Sequence, residues 1–296
     1  MTGLGAAIAF ASAVANALAL VLQSMEAHEA PPQPGVSLGL LLLLARRPRW
    51  LLGTVLVMCA WPLQILALSF APITVVQPIF ASFQLVVLAL ARLWLRERVS
   101  WREYLGAGAI AAGVTLLILA APHRSVLHPP AWRLVPPLVL LGGATLTLSA
   151  MARSRHGGLG PGTRCGLCLT LSAGLGYAWA DLVDKLVSDA LSGGDLLVAG
   201  AWLLTVVSMG ALAFASEQTA LQHRPASAVG PLIGALQEPL PVVLALWGGL
   251  EVWQGGGLRM VVLVAGLLLV GVGATLIARS PAVATVTEAP AGSVSA

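Results

Sequence analysis

Charged residues are scarce in this sequence. Of its 296 residues only 9% are Asp, Glu, Lys or Arg, whereas 58% are hydrophobic and the mean hydropathy is +0.90. Because soluble globular domains carry about 25% charged residues, this composition excludes a soluble domain. The chain needs lipid as its solvent, so the lipid bilayer is the first partner that the sequence predicts.

Aromatic residues and cysteines are also few, and each shortage excludes a class of protein. Nucleic-acid-binding proteins combine a clustered basic surface with aromatic side chains that stack on bases, and an aromatic content of 5% predicts no nucleic-acid partner. The three cysteines are Cys59, Cys165 and Cys168. The last two lie close together but have no second pair, which a zinc or redox site needs, so we expect no cofactor.

Long hydrophobic runs, by contrast, are abundant. A helix that crosses the hydrocarbon core of a bilayer needs about 20 mainly apolar residues. Nine runs have that length, near residues 3–24, 50–70, 73–96, 102–121, 132–152, 164–187, 195–217, 226–249 and 258–279. A tenth run, Val36–Ala45, has only ten residues, which predicts an interfacial or re-entrant segment, with a short spanning helix as the alternative. The sequence therefore predicts an all-α, polytopic membrane protein with nine, or alternatively ten, transmembrane helices.

Lysine and arginine residues are distributed unevenly between the two sides of this nine-helix arrangement. Twelve of the sixteen fall on one side and four, Arg124, Arg133, Lys185 and Arg259, on the other. Because cytoplasmic loops are enriched in Lys and Arg, the richer side is predicted to be cytoplasmic, in a multi-pass protein of the plasma membrane. The C-terminus is then cytoplasmic, whereas the N-terminus is outside with nine helices and inside with ten. The polar residues 280–296 are predicted to form a disordered tail.

One segment of the chain occurs twice. Residues 67–94 and residues 220–247, which lie 153 positions later, are identical at eight of 28 positions. The identities include Pro72/Pro225, Pro78/Pro231, Gln84/Gln237 and Trp94/Trp247. After an insertion the likeness resumes, with Ala112–Ala120 against Val272–Ser280. Chance matching of Leu and Ala does not easily align prolines, a glutamine and a tryptophan, so we interpret the pattern as an internal repeat.

The two copies are predicted to cross the membrane in opposite senses, because five spans, an odd number, separate helix 73–96 from helix 226–249. Residues 1–121 then form the first repeat, residues 132–152 a linker helix and residues 164–279 the second repeat. Inverted-topology repeats are a recurrent construction of secondary transporters, with the binding site near the membrane midplane between the repeats. This organisation favours alternating access, in which two equivalent halves open one central site first to one side and then to the other.

The residues of the repeat resemble those of a known family. The stretch ALSFAPITVVQP, the stretch LRERVSWREYLGAGAIAAGVTLL that ends at Leu117, and the second copy over Glu217–Trp253 resemble the drug/metabolite transporter (DMT, EamA-like) superfamily. Within it, the long first loop, the nine-helix layout and the stretch Gly174–Leu191 look most like the NIPA-like magnesium transporter branch and its bacterial relatives. The resemblance covers residues 1–279 and implies a polytopic transporter fold, with a divalent cation as one candidate cargo.

Polar residues at the centres of spanning helices are costly in lipid and often functional. Gln84 lies at the centre of helix 73–96, and Gln237 and Glu238 lie at the centre of helix 226–249. Glutamine can orient a polar substrate or join helices, and both interpretations stay open. A midplane carboxylate must be protonated, paired, or face water or a cation. Glu238 precedes two prolines that loosen its helix, so it is predicted to face the transport pathway, with a paired structural acid as the alternative.

Further candidate substrate-binding residues lie on other helices. Gln64 lies near a proline in helix 50–70, and Asn16 and Gln23 lie in helix 3–24. Glu217 lies toward the inner end of helix 195–217. Asp181 and Asp184 share one face toward the outer end of helix 164–187, beside Lys185. Two interpretations of this group are open, a substrate entry site and a solvated helix end with a local Asp–Lys pair. The predicted substrate-binding set is therefore Asn16, Gln64, Gln84, Asp181, Glu217, Gln237 and Glu238.

Together these features predict a secondary transporter, not an enzyme, for a small polar solute or a divalent cation. Proton coupling and a homodimer are open alternatives for its mechanism and assembly. An enzyme that acts on lipid-linked substrates would need Arg, His and carboxylates at one interface, but His123 and His128 share a loop that contains no carboxylate. The alternative function is a non-transporting membrane scaffold or regulator that keeps the transporter fold, because a fold does not fix a function.

Overall fold

The computed structural model describes residues 2–30, 38–80, 82–94, 100–120, 131–154, 163–250 and 256–278. Within these ranges all regular secondary structure is α-helical, in helices α1 (Thr2–His28), α2 (Leu38–Leu44), α3 (Pro48–Phe70), α4 (Ile73–Phe80), α5 (Ser82–Leu93), α6 (Trp101–Ala120), α7 (Ala131–Ser154), α8 (Thr163–Ser192), α9 (Leu196–His223), α10 (Ala226–Gln237), α11 (Pro239–Gly248) and α12 (Gly257–Ala278). Six stretches of the described chain are long and apolar enough to cross a membrane: Gly3–Ala27, Pro48–Phe70, Trp132–Ala152, Cys165–Ser192, Leu196–His223 and Ala228–Gly248. The predicted all-α, polytopic class is confirmed, and the predicted tail, residues 280–296, lies outside the described residues.

One of the nine predicted spans is interrupted within the described chain. The span near 226–249 consists of α10 and α11, which meet at Glu238. The span near 73–96 is described over α4 and α5, and residue 81 between them lies outside the described residues. Glu238 keeps helical dihedral angles, with φ −78° and ψ −53°. Pro239 and Pro241 have no N–H to donate to the carbonyl groups one turn earlier, which explains why the hydrogen-bonded helix is interrupted there.

The short helix α2 packs beside α3 and α9. Its seven described residues extend about 10 Å, whereas a hydrocarbon core is about 30 Å thick. Leu40 and Leu44 are buried against Trp50 of α3 and Phe214 of α9. Residues 31–37, directly before α2, lie outside the described residues, so both the interfacial or re-entrant segment and the short spanning helix stay predictions.

The centre of the molecule lies between two antiparallel helix pairs, α1 with α3 and α8 with α9. One buried cluster joins α1, α5, α8 and α10, with contributions from Leu20, Phe83, Leu169, Val229 and Ile233. Small residues allow these helices to approach, since a Cβ at Gly176 on α8 would lie 2.9 Å from the Cβ of Ala213 on α9. The helices that supply polar side chains to the interior are thus held by apolar contacts around them.

The segment formed by α4 and α5 runs antiparallel to the segment formed by α10 and α11. Helix α4 packs against α11, whereas α5 packs against α10. Two neighbouring segments pair the first part of one with the second part of the other only when they run in opposite directions. The junction of α10 and α11 at Glu238 therefore lies beside α4 and α5 in the interior of the protein.

Helices α6 and α12 are also antiparallel and are in backbone contact through glycines. A Cβ at Gly113 on α6 would lie 2.5 Å from the carbonyl oxygen of Gly266 on α12, and a Cβ at Gly273 on α12 would collide with the carbonyl oxygen of Gly106 on α6. A shift of 160 positions along the sequence relates Gly106 to Gly266 and Gly113 to Gly273. Such reciprocal contacts, in which one residue touches the counterpart of the other, are what a two-fold relation between two similar units produces.

A chain of buried hydrogen bonds joins α1, α3 and α9 beside the short helix α2. The indole N–H of Trp50 donates to Oε1 of Gln218 at 2.8 Å, and Nε2 of Gln218 donates to Oε1 of Gln23 at 2.9 Å. Nε2 of Gln23 then donates to the hydroxyl of Thr54 at 3.3 Å. Every member of this chain has a partner, so it holds three helices in one register.

Replacing Gln218 by leucine is expected to destabilise the fold, because it leaves the Trp50 indole and the Gln23 carbonyl without partners. Buried groups that lose a partner cost about 1–3 kcal/mol each, although hydrogen bonds between membrane helices average nearer about 0.6 kcal/mol. Thermal unfolding of the purified protein in detergent measures the effect. The matched control is Ser208→Ala on the same helix, since that hydroxyl bonds only the Leu204 carbonyl of its own helix at 2.9 Å. Equal unfolding midpoints for the two variants would contradict the assignment.

Candidate functional site

A cavity of about 350 Å³ lies among the helices of the bundle. Its wall is built by α1, α3, α8, α9 and α10, together with Phe80 of α4 and Phe83 of α5. Cavities that hold small molecules occupy about 300–1,000 Å³ and combine an apolar wall with a few polar groups. The polar side chains in this wall are Asn16, Gln23, Trp61, Gln64, Tyr177, Asp181, Asp184, Glu217 and Gln237.

Asp181 is the centre of the polar wall. It is 4% exposed, and Nε2 of Gln64 on α3 donates to its Oδ1 at 2.8 Å. The amides of Gln77 on α4 and Gln237 on α10 also lie close to this carboxyl group, although neither makes a hydrogen bond of normal length with it. Helices from both halves of the chain therefore converge on one aspartate.

Two more carboxyl groups line the same cavity, each with one aromatic donor. The indole N–H of Trp61 lies 3.0 and 3.2 Å from the two carboxyl oxygens of Asp184. The hydroxyl of Tyr177 donates to Oε2 of Glu217 at 2.6 Å. Both acids are buried, with exposures of 1% and 8%. A single neutral donor stabilises a carboxylate only partly, so each group keeps the capacity to accept a further donor or a cation.

No basic side chain in the described part of the chain pairs with these three acids. Lys185 is fully buried, but its Nζ donates to Asp189 one turn later, at 2.6 and 2.8 Å. The other ion pairs found in the described ranges join Arg47 to Glu26 and Glu29, at 2.8 and 2.9 Å. Carboxyl groups removed from water must take up a proton or meet a cation. The cavity is therefore an acidic compartment whose positive partner comes from outside the described chain.

The side of the cavity toward α3 and α9 is apolar and faces the surroundings of the bundle. It is lined by Val57 and Met58 on α3 and by Val206, Val207, Gly210 and Ala211 on α9. Met58 and Val207 are more than half exposed, at 54% and 51%. In a chain that spans a bilayer such side chains contact acyl chains, so the acidic groups lie on the protein side and the apolar groups on the lipid side.

The structure brings most of the predicted site residues to this cavity. Asn16, Gln64, Asp181, Glu217 and Gln237 all line it. The side chain of Gln84 lies outside the described residues.

Glu238 does not line the cavity, because successive residues of a helix point about 100° apart. Gln237 at the end of α10 faces the cavity, and its neighbour points away. Glu238 is nevertheless 2% exposed.

The interpretation of Asp181, Asp184 and Lys185 as a solvated helix end with an Asp–Lys pair is wrong. Helix α8 extends to Ser192, beyond the predicted end at 187, so these residues lie in its interior and are at most 4% exposed. Lys185 pairs with Asp189 and not with either of the other acids. Glu217 is likewise interior, because α9 continues to His223 rather than ending at 217.

Five residues near the site were not among the predicted substrate-binding set: Gln23, Trp61, Gln77, Tyr177 and Asp184. A signal for two of them was present, because Tyr177, Asp181 and Asp184 follow one another by four and three positions and so share a helix face. Gln77 lies seven positions, two helical turns, before Gln84 and gave no signal of its own. Trp61 beside a proline could not be distinguished from a packing residue.

Within the described ranges no group of three or more His, Cys, Asp or Glu side chains is arranged to hold a metal ion. The three acids of the cavity are spread along its wall instead of converging on one point, and each already has a neutral donor. The donor set is thus better suited to a ligand with an extended shape than to a bare ion.

Comparison with known proteins finds a likeness to one family. Residues 3–119, less than half of the chain, match the model of the EamA-like transporter family. The matched residues include α2 to α5 and nearly all of α1 and α6. This family consists of polytopic membrane transporters. No curated protein and no solved structure gave a match. The likeness over residues 3–119 and the six long apolar helices are both typical of a multi-pass membrane protein.

Proposed function

We propose that this chain is a secondary transporter that carries a small organic cation by alternating access through the central cavity. The observation that carries the proposal is the acidic wall, in which Asp181, Asp184 and Glu217 have no basic partner in the described chain. A solute with a positive charge supplies the partner that burial of these carboxyl groups demands. A solute with a negative charge would add a like charge to the same space.

The aromatic and amide side chains in the rest of the cavity wall favour an organic solute over a bare metal ion. Trp61, Phe80, Phe83, Tyr177 and Phe214 all border the cavity. Aromatic faces attract ammonium groups, by about 0.5–2 kcal/mol each depending on desolvation. The amides of Gln64 and Gln237 can orient polar groups of the solute. The combination of acid, aromatic and amide side chains fits an amine or a quaternary ammonium compound.

A divalent cation is the second candidate cargo, and the NIPA-like resemblance is what favours it. Hard cations such as magnesium take about six oxygen ligands and usually keep several waters. The described residues offer no group of three acids or histidines arranged for a metal. We therefore rank the organic cation first and keep magnesium as a member of the test panel.

The alternating-access part of the proposal is supported by the antiparallel arrangement of related helices. Helices α6 and α12 contact each other reciprocally at glycines, α4 packs on α11, and α5 packs on α10. If the two halves are inverted repeats, exchanging their conformations moves the opening of the cavity from one side of the membrane to the other. The junction of α10 and α11 beside Gln237 is where such a change meets the least resistance, because Pro239 and Pro241 cannot donate helical hydrogen bonds.

Uptake into proteoliposomes tests the proposed function. Purified protein is reconstituted and assayed with a panel of radiolabelled solutes: methylammonium, tetraethylammonium, a diamine, magnesium, a carboxylate and a neutral alcohol. We expect saturable uptake of one or more of the organic cations above the level of empty vesicles and none of the carboxylate. Uptake of magnesium alone would move the assignment to the second candidate. If no solute exceeds the empty vesicles, the protein is a scaffold or regulator and the proposal is wrong.

A further inference from the structure

A fourth buried acid, Glu238, lies behind the wall of the cavity. It is 2% exposed, and neither of its carboxyl oxygens has a hydrogen-bond partner in the described structure. Its place in the chain is the junction of α10 and α11. A carboxylate with no donor in such a position costs several kcal/mol, so this group needs a positive partner more than any other in the interior.

The neighbouring polar groups are unsatisfied as well. Gln77 on α4 is fully buried, and both Oε1 and Nε2 of its side chain lack a partner. Oδ2 of Asp181, the oxygen that does not accept from Gln64, lacks a partner too. Helix α8, which carries Asp181, packs against both α10 and α11, and Gln237, the residue before Glu238, lines the same cavity as Asp181. Unpaired polar atoms of Gln77, Asp181 and Glu238 therefore belong to helices that pack together around the junction of α10 and α11.

No cationic side chain among the described residues pairs with Glu238. Helices α1, α4, α5, α7, α8, α9 and α12 pack against α10 or α11. On α8 the interior groups are the three acids Asp181, Asp184 and Asp189, with Tyr177 and Lys185, and this lysine is held by Asp189. On α9 the interior acid is Glu217, which accepts from Tyr177. The buried Arg224 lies just before α10, at the opposite end of that helix from Glu238 and about 20 Å away along its axis. The arginines described on other helices, Arg92, Arg102, Arg133 and Arg259, are exposed.

We propose that Glu238 is a proton-binding site that lies apart from the solute cavity and is coupled to it through Asp181. This inference rests on the proposed function, because it assigns the coupling ion of the same transporter. In the described state the proton neutralises Glu238, for which the described residues offer no other partner. When α10 and α11 move and Glu238 meets water, the proton can leave.

The charge of Asp181 couples the binding of a proton at Glu238 to the binding of solute in the cavity. While Asp181 is unoccupied, its negative charge favours the protonated form of its neighbour Glu238. A solute cation that binds at Asp181 cancels this charge and so makes release of the proton from Glu238 easier. Coupling between two sites is reciprocal, so a proton on Glu238 must also weaken solute binding. The result is exchange of protons for organic cations.

Chemical labelling tests the proton on Glu238 without any solute. Dicyclohexylcarbodiimide reacts with protonated carboxyl groups in apolar surroundings, and mass spectrometry of the purified full chain identifies the modified residue. We expect labelling of Glu238 at neutral pH that declines as the pH is raised, and a further decline when tetraethylammonium, which carries no proton of its own, is added. Labelling of Glu238 that does not change with pH, or no labelling at any pH, would overturn the proposal.

The variant Glu238→Gln tests the coupling in proteoliposomes. It keeps the shape of the side chain and leaves every cavity-lining residue in place. We expect it to keep exchange of labelled for unlabelled tetraethylammonium but to lose accumulation driven by a pH gradient, down to the level of empty vesicles. Glu238→Asp, which keeps an ionisable group, is expected to recover part of the accumulation and controls for misfolding.

These results separate the two proposals. If wild-type vesicles neither exchange nor accumulate any organic cation, the proposed function fails, whereas the labelling of Glu238 still decides whether a proton resides there. If wild type transports and Glu238→Gln retains full accumulation driven by the pH gradient, the proposed function survives and the proton site is wrong.

Discussion

Replacing Asp181 by asparagine is expected to abolish transport of organic cations. Asp181 lies where α3, α4 and α10 bring the amides of Gln64, Gln77 and Gln237 together, and it is the acid that the cavity shares with Glu238. Removing one partner of a buried, hydrogen-bonded charge pair costs about 2–5 kcal/mol, which is at least about thirtyfold in affinity. Uptake of tetraethylammonium into proteoliposomes, measured over a range of concentrations, gives the loss directly.

The matched control for this variant is Asp195→Asn. Asp195 precedes α9, is exposed, and accepts a hydrogen bond from the backbone N–H of Val198 at 3.2 Å. Asparagine can cap a helix in the same way, so this change removes the same charge without touching the cavity. We expect transport to be unchanged. Equal transport by Asp181→Asn and wild type would show that the acidic wall is not the binding site.

Replacing Gly113 by alanine is expected to destabilise the protein, because the added methyl group would collide with the backbone of α12. The new Cβ would lie 2.5 Å from the carbonyl oxygen of Gly266 and 2.9 Å from the backbone nitrogen of Val270. Backbone atoms cannot rotate away as a flexible side chain can, so α6 and α12 must move apart. Overpacking of this kind costs about 1–3 kcal/mol and occasionally more. A thermal unfolding scan in detergent, with the fraction of monodisperse protein as a second readout, measures the change.

Gly108 on the same helix offers a control with the same chemistry. A Cβ there has nothing within 4 Å, so Gly108→Ala is expected to leave stability unchanged or to raise it by up to about 1 kcal/mol through helix propensity. Destabilisation by Gly108→Ala as large as that by Gly113→Ala would mean that the two helices do not touch at Gly113 and Gly266. The reciprocal glycine contacts would then no longer support a two-fold relation between the halves.

Most helices of the fold could be predicted from hydrophobic runs, because the thickness of the bilayer sets their length. The ends of α8 and α9 could not. Helix α8 carries Asp181, Asp184 and Asp189 in its second half, and a hydropathy average reads such residues as the end of a span. Their burial depends on which way they face, and the packing of α3 and α9 around α8 decides that. Composition records the polar side chains but not the direction in which they point.

The sequence predicted several residues that line the candidate site but not which side chains contact one another there. The repeat predicts that the glutamines at equivalent positions, Gln84 and Gln237, meet at the midplane, and the side chain of Gln84 lies outside the described residues. Among the described residues, Gln77 and Gln237 lie close to Asp181. One position along a helix rotates a side chain by about 100°, so depth alone does not say which residue faces inward. Lys185 had acids four positions away on both sides, Asp181 and Asp189, and the sequence contains nothing that chooses between them.

Equilibrium binding to the purified, full-length chain tests the central claim, that the cavity binds positive solutes through buried acids, most directly. Tetraethylammonium, a carboxylate and a neutral alcohol of similar size are compared over a range of pH. The claim predicts saturable binding of the ammonium compound alone, weaker at acid pH, where protons compete for the same carboxyl groups, and absent in Asp181→Asn. Binding of the carboxylate, or ammonium binding that neither acid nor Asp181→Asn weakens, would contradict it.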